Sequence, residues 1–186
     1  ARGIGEAIAL KFAAHGAHVA FTYVSDSSRE KAIALESKPV SMGVKAKAYQ
    51  SNAADFSACE HLVNDVMAVF GQVDICVNNA GISNALPFDD PQYEEAWQRL
   101  IAVIMTGTQQ VTRAALPWLR KSNAARIVNI ASTEALGATA GHSGYSAAKA
   151  GVAGLTRSLA VEFGRAGIDL RLDARHDGEP CTVKIG

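Results

Sequence analysis

The sequence predicts an α/β fold, a parallel sheet with helices on both faces. Three observations predict it. Short apolar, β-branched runs alternate with longer stretches of helical periodicity. The polar and glycine clusters fall where the carboxyl ends of parallel strands would lie, the usual ligand edge of such sheets. No internal repeat, low-complexity segment or linker interrupts the alternation.

Taken in order, Ile4, Ala7, Ile8, Leu10 and Phe12 suit a helix from Ile4 to about Ala14, closed by Gly16. "AHVAFTY" (17–23) is β-branched and aromatic, as a buried strand requires. Ser25, Asp26 and Ser27 offer caps for a helix reaching about Glu36. "VKAKAYQ" (44–50) alternates as a strand does. "FSACEHLVNDVMAVFG" follows as a helix, with Leu62, Val66 and Val69 on one stripe. "VDICVNNAG" (73–81) is a short apolar strand ending in two amides and a glycine. A long helix lies within 92–119, a strand at "ARIVNIAS" (125–132), and a helix from about Tyr145 to Phe163. Residues 168–174 alternate and can form a further strand.

Composition narrows the function. The 186 residues are 48% hydrophobic and 19% charged, enough for one domain with a sizeable core. Eighteen basic side chains balance eighteen acidic ones, which argues against nucleic acid or an anionic membrane as partner. Cys59, Cys76 and Cys181 are odd in number and far apart, so a reducing, cytoplasmic setting is expected. The five histidines are scattered, and no metal site is expected. No run is long enough to span a bilayer, and no secretory signal is visible.

"SGYSAAKAG" (143–151) carries the chemistry. In a helix Tyr145 and Lys149 stand on one face, a turn apart. A free phenol titrates near pH ~10, and a neighbouring cation favours its phenolate form. Ser132, thirteen residues before Tyr145, can hydrogen-bond an oxygen held near the phenol. Alone, each feature has a plainer explanation: an exposed polar pair for Tyr145 and Lys149, a strand-end cap for Ser132, an Asx-type turn for Asn78 and Asn79. Gly3 and Gly5 let backbone N–H groups approach a phosphate at a helix N-terminus, or merely make a tight turn.

Together, "RGIG" before a helix, "NNAG" after a strand, Ser132 and Y-x-x-x-K resemble the short-chain dehydrogenases/reductases, with 3-oxoacyl-carrier-protein reductase-like members the nearest flavour. The resemblance covers about residues 1–168. It implies a single Rossmann-type, doubly wound parallel-sheet domain over 1–168, incomplete at both ends, and a divergent tail over 169–186. It also implies hydride exchange between a nicotinamide cofactor and a carbonyl or alcohol substrate, such as a 3-oxoacyl thioester. Tyr145 is the implied acid/base, Lys149 its modulator and a ribose contact, and Ser132 the substrate orienter. The implied cofactor contacts are Arg2, Gly3, Ile4, Gly5, Asn52, Ala53, Asn79, Ala80, Gly81, Tyr145 and Lys149. A homo-oligomer, tetramer or dimer, is implied too, paired through the helices at 92–119 and 145–163.

Cofactor choice rests on two positions. Tyr23 stands where NAD-preferring folds usually carry an acid after the second strand. Arg2 can face a 2′-phosphate, so NADP is expected, with NAD the alternative.

The sequence departs from the family pattern in three places. No strand precedes Ala1, although in the family a first strand lies between those at 17–23 and 73–77. Ile104 replaces an asparagine that bends the long helix and holds a water; isoleucine has no donor or acceptor with which to do either. Beyond residue 168 the expected N-x-x-x-P-G turn is missing, which marks 169–186 as a divergent end or a shifted reading frame. The rival reading is therefore an impaired or fragmentary relative that binds, at most, nucleotide or a sister subunit. A P-loop protein is disfavoured, since no G-x-x-x-x-G-K-[ST] occurs.

Overall fold

The structure is a computed structural model and describes residues 3–176 and 179–184. Arg2, one of the expected cofactor contacts, lies outside the described residues, as do four positions of the expected tail: 177, 178, 185 and 186. Contacts divide the chain into two units, residues up to 52 with 64–71, and 53–63 with 72 onward.

In the first unit, α1 (Gly3–Ala14) leads into β1 (Val19–Tyr23), and α2 (Arg29–Ser41) into β2 (Ala46–Gln50). The two strands pair in parallel, Val19 opposite Ala46 and Tyr23 opposite Gln50. Gly16 (φ +81) closes α1 as expected: its N–H reaches Ala13 O, and the Ala17 N–H reaches Phe12 O. Ala9, Ala13, Val19 and Val44 form a small core with Phe12 and Phe21 against them.

The caps expected at Ser25–Ser27 are different in fact. The Ser25 hydroxyl meets those of Ser27 and Ser28 instead of a helix N–H, and a 3₁₀ turn (Asp26–Ser28) precedes α2. The helix also outruns its expected end at Glu36, because Leu35 and Pro39 are both buried and anchor its last turns. Glu36 covers an edge of the sheet, its carboxylate accepting the Ala48 N–H at 2.7 Å.

Helix α3 (Phe56–Phe70) buries Cys59 and Val63. The expected stripe is therefore displaced: Val69 is 39% exposed, and the buried face lies toward the start of the helix.

In the second unit β3 (Ile75–Asn78), β4 (Arg126–Ile130) and β5 (Asp169–His176) are parallel neighbours. β6 (Glu179–Lys184), for which no strand was expected, runs antiparallel beside β5. The long helix over 92–119 resolves into α4 (Tyr93–Leu100), a π-helical segment (Ile101–Thr106) and α5 (Gly107–Leu119). α6 (Ser143–Gly164) follows β4. One core cluster joins α5, β3, β4, β5 and the end of α6 through Leu119, Ile127, Phe163 and Leu170. A second joins Leu100, Ile104, Ala131, Ala148, Val152 and Leu172, with Tyr145 packed on it.

The π segment (Ile101–Thr106) has Ile104 near its middle, but the isoleucine side chain makes none of the bonds that widen the turn. The wider turn is a backbone arrangement: the Gly107 N–H reaches back five residues to Ala102 O, and the Thr108 hydroxyl donates to Ile104 O at 2.7 Å. Ile104 itself is 1% exposed and contributes apolar packing, for which no amide is needed.

Candidate active site

The site is built at the ends of β3 and β4 and on the first turns of α6. Alternating burial along β4 puts Asn129 wholly inside, where its Oδ1 accepts from Asn78 Nδ2 (2.8 Å) and its Nδ2 donates to the Thr156 hydroxyl (2.8 Å). Asn78 Nδ2 also donates to the Thr112 hydroxyl (3.0 Å), and the Thr156 hydroxyl donates to Val152 O (2.7 Å). A polar chain thus crosses the core from α5 through both strands to α6. Its burial is tolerable because each amide finds partners. The sequence reading singled out Asn78 but missed Asn129, Thr112 and Thr156. The polar residues inside otherwise apolar runs were the available signal.

Tyr145 and Lys149 stand together as the helical spacing requires. Lys149 is 4% exposed; its Nζ lies 5.8 Å from the centre of the Tyr145 ring and donates to Ile130 O at 2.7 Å. Burial pushes the lysine pKa down to about 8, since desolvation disfavours the charged form. Gly81, three residues past the end of β3, faces the same ammonium: a Cβ added there would lie 3.7 Å from Nζ. Lys149 therefore brings together Gly81, the end of β4 and the phenol ring.

Ser132 is extended (φ −161, ψ 160), and its Oγ accepts the Glu134 N–H at 3.2 Å. It caps the short turn Thr133–Ala135. That is the plainer role weighed for it, and because the oxygen accepts in this bond, the hydroxyl keeps its own proton to donate. The reading missed Glu134, whose carboxylate gathers Thr139 and Ser146.

Gly3, Ile4, Gly5 and Asn52 belong to the first unit, and Ala53 to the second. Gly3 begins α1 at φ +60 with open space where a Cβ would be, a conformation that favours glycine.

The second unit's residues fit the ribose end of a dinucleotide. Two of the three Lys149 N–H groups have no partner among the described residues, although the ammonium is buried. A diol beside Gly81 could satisfy them. Among the described residues no cluster of three metal-ligating side chains occurs, and no helix is long and apolar enough to cross a membrane.

Comparison with known proteins identifies the family and the fold. A sequence profile described as short chain dehydrogenase matches residues 1–172. The chain is 35% identical over 167 residues to a 3-oxoacyl-(acyl-carrier-protein) reductase of Synechocystis, covering 90% of this chain and 66% of that protein. It is 34% identical over 166 residues to a D-beta-hydroxybutyrate dehydrogenase of Cupriavidus necator, covering 89% of this chain and 63% of that one. The chain therefore spans a little under two thirds of these relatives' length. A metagenomic short-chain oxidoreductase solved in complex with NADP superposes with a TM-score of 0.85 at 31% identity, covering 95% of this chain and 78% of that one. The fold is thus that of the Rossmann-type short-chain enzymes.

Proposed function

We propose a function from one premise: this chain belongs to the short-chain dehydrogenase family. The function is NADP(H)-dependent oxidoreduction, interconverting a carbonyl and an alcohol, with a 3-oxoacyl thioester or a similar 3-oxo compound as substrate. The observation that carries this reading is the buried Lys149 ammonium 5.8 Å from the Tyr145 ring, with N–H groups to spare.

Each residue then has a task. Tyr145 gives a proton to the substrate oxygen in reduction and takes it back in oxidation. The Lys149 cation favours the phenolate that forms, and its spare N–H groups hold the nicotinamide ribose. Ser132, already accepting from the Glu134 N–H, directs its own proton to the substrate oxygen and fixes it near the phenol. Gly3, Ile4 and Gly5 at the start of α1 receive the pyrophosphate, with Arg2 beside the 2′-phosphate. Asn52 and Ala53 border the adenine, while Asn79, Ala80 and Gly81 border the ribose. The nicotinamide, when bound, supplies or accepts the hydride.

NADP is supported by the cofactor of the metagenomic relative and by Tyr23 in place of an acid at the end of β1. The thioester class is supported by the Synechocystis relative's reaction. A homo-oligomer would pair through α4–α6, where Val161 is 79% exposed.

One observation favours a slower enzyme. Ile104 offers no polar group to a proton-relaying water, and its packing leaves it 1% exposed. Titration with NADPH and NADH, followed by NADPH consumption with an acetoacetyl thioester, tests the function. Tighter NADPH binding and thioester-dependent consumption are expected; absence of nucleotide binding would overturn the reading.

A further inference from the structure

The segment between β4 and α6 carries a device that the proposed chemistry does not yet use. Glu134 lies two residues after Ser132, and Ser146 one residue after Tyr145. The Glu134 carboxylate accepts from the Thr139 hydroxyl (2.6 Å), the Thr139 backbone N–H (3.1 Å) and the Ser146 hydroxyl (3.0 Å). Its own backbone N–H donates to Ser132 Oγ (3.2 Å). One residue thus binds the serine hydroxyl through its main chain and the tyrosine's helix through its side chain.

We propose that Glu134 is a positioning residue, which sets the placement of the Ser132 hydroxyl relative to the Tyr145 phenol by tying the turn after β4 to the first turn of α6. The proposal rests on the oxidoreductase reading above, since it assigns a purpose to the spacing of those two groups.

Three features support it. The links are local and directional: three donors converge on one carboxylate, which closes residues 134–139 into a loop. The same hydrogen bonds, Thr139's first and Ser146's next, hold the Glu134 carboxyl below the usual carboxylate range. It is therefore ionised at neutral pH, and charge-assisted bonds of this kind are shorter and stronger than neutral ones. The clamp also continues a built framework. α6 packs on the Thr133–Ala135 turn, and Gly141, just before α6, accepts the Leu86 N–H at 2.9 Å. Without the carboxylate, the hydrogen bonds left to that short turn among the described residues are the Ser132 cap and its own 3₁₀ bonds.

Ser132 and Tyr145 act on one substrate oxygen, so a shift between them changes the chemical step more than nucleotide binding. Misplacement of reacting groups by about 1 Å is enough to cost on the order of a hundredfold in rate.

The test combines hydrogen exchange with steady-state kinetics on the full chain, its Glu134→Gln, Glu134→Ala and Ser146→Ala variants, and the Glu134→Ala/Ser146→Ala double variant. Exchange in the nucleotide-free chain reads the clamp without reference to turnover. In Glu134→Ala the amide at position 134, which bonds Ser132 Oγ, is expected to exchange faster, as is the Thr139 amide. Kinetically, kcat is expected to fall about tenfold to a hundredfold in Glu134→Ala, less in Glu134→Gln, which keeps one acceptor, with the KM for NADPH level. The double variant should be no slower than Glu134→Ala alone, because both changes cut the same link.

Unchanged protection at position 134 would overturn the proposal whatever the kinetics. With an active parent, so would a kcat equal to the parent's in Glu134→Ala, or a loss of NADPH affinity as large as that of kcat; the oxidoreductase reading would survive each. A parent chain that reduces no carbonyl would refute that reading first and the positioning role with it.

Discussion

Lys149 and Tyr145 form a half-dry pair: Lys149 is 4% exposed, and its ammonium lies 5.8 Å from the centre of the phenol ring, anchored at 2.7 Å to the Ile130 carbonyl. A charge kept in such a place is costly to the fold, so its retention points to chemistry rather than stability.

That cost gives the first prediction. Lys149 titrates at about 8 in the fold against 10.5 as its ordinary value, so between those pH values the unfolded chain binds more protons than the folded one. The lysine's contribution to stability is therefore lowest below about pH 8 and rises as pH climbs toward 10.5. The full rise is about 3 kcal/mol at the usual equivalence of pKa and free energy. Urea unfolding across this range should show that rise in the parent chain and lose it in Lys149→Met. An identical slope in both would contradict the burial argument.

Gly107 gives the second. A Cβ there would come within 2.9 Å of the Ala53 carbonyl oxygen and 3.0 Å of the Ala53 Cβ. Its φ of −59 is helical, so alanine would gain about 1 kcal/mol of helix propensity. The clash is with backbone that has no rotamer to yield, and overpacking costs about 1–3 kcal/mol. Gly107→Ala should therefore unfold at lower urea concentration than the parent. A higher midpoint would mean that propensity outweighs the contact.

The buried amide chain gives the third. Asn129→Ala removes two buried hydrogen bonds and should cost about 2–3 kcal/mol. Asn129→Asp should cost more at neutral pH. The Thr156 hydroxyl already donates to Val152 O, so a carboxylate oxygen would replace the amide that it accepts from. Denaturant midpoints rank the two variants; the reverse order would show that the Thr156 hydroxyl turns to serve as donor.

Ile104 gives the fourth. Placing asparagine at a site 1% exposed should cost about 2–4 kcal/mol in lost packing and desolvated amide. The folded fraction should nevertheless turn over faster, because the amide offers a water the polar partner that isoleucine lacks. Turnover per folded molecule is measured after correcting for unfolding. Unchanged turnover would remove Ile104 from the explanation.

Much of this was legible because it obeys local rules. The four-residue spacing of Tyr145 and Lys149 needs only helix geometry, and Gly16 ends α1 by the left-handed cap that glycine permits. What escaped depends on distant partners. Asn129 reads as one polar residue in a strand until Thr156 and Asn78 are folded against it. Glu134 reads as a solvated acid until the loop brings Thr139 and Ser146 to its carboxylate. The π segment escaped because its cause is a backbone register shift, not a residue type. β6 escaped although Asp177-Gly178, a dipeptide that favours a two-residue hairpin, stands between the two strands; the signal was in the sequence and was not used.

The central claim is that Tyr145 moves the proton, and the most direct measurement is the rate of NADPH consumption with an acetoacetyl thioester in Tyr145→Phe beside the parent chain. The account predicts loss of roughly a hundredfold or more, as expected for removing a general acid, with NADPH affinity retained. A phenylalanine variant that reduces the thioester at the parent's rate would contradict it.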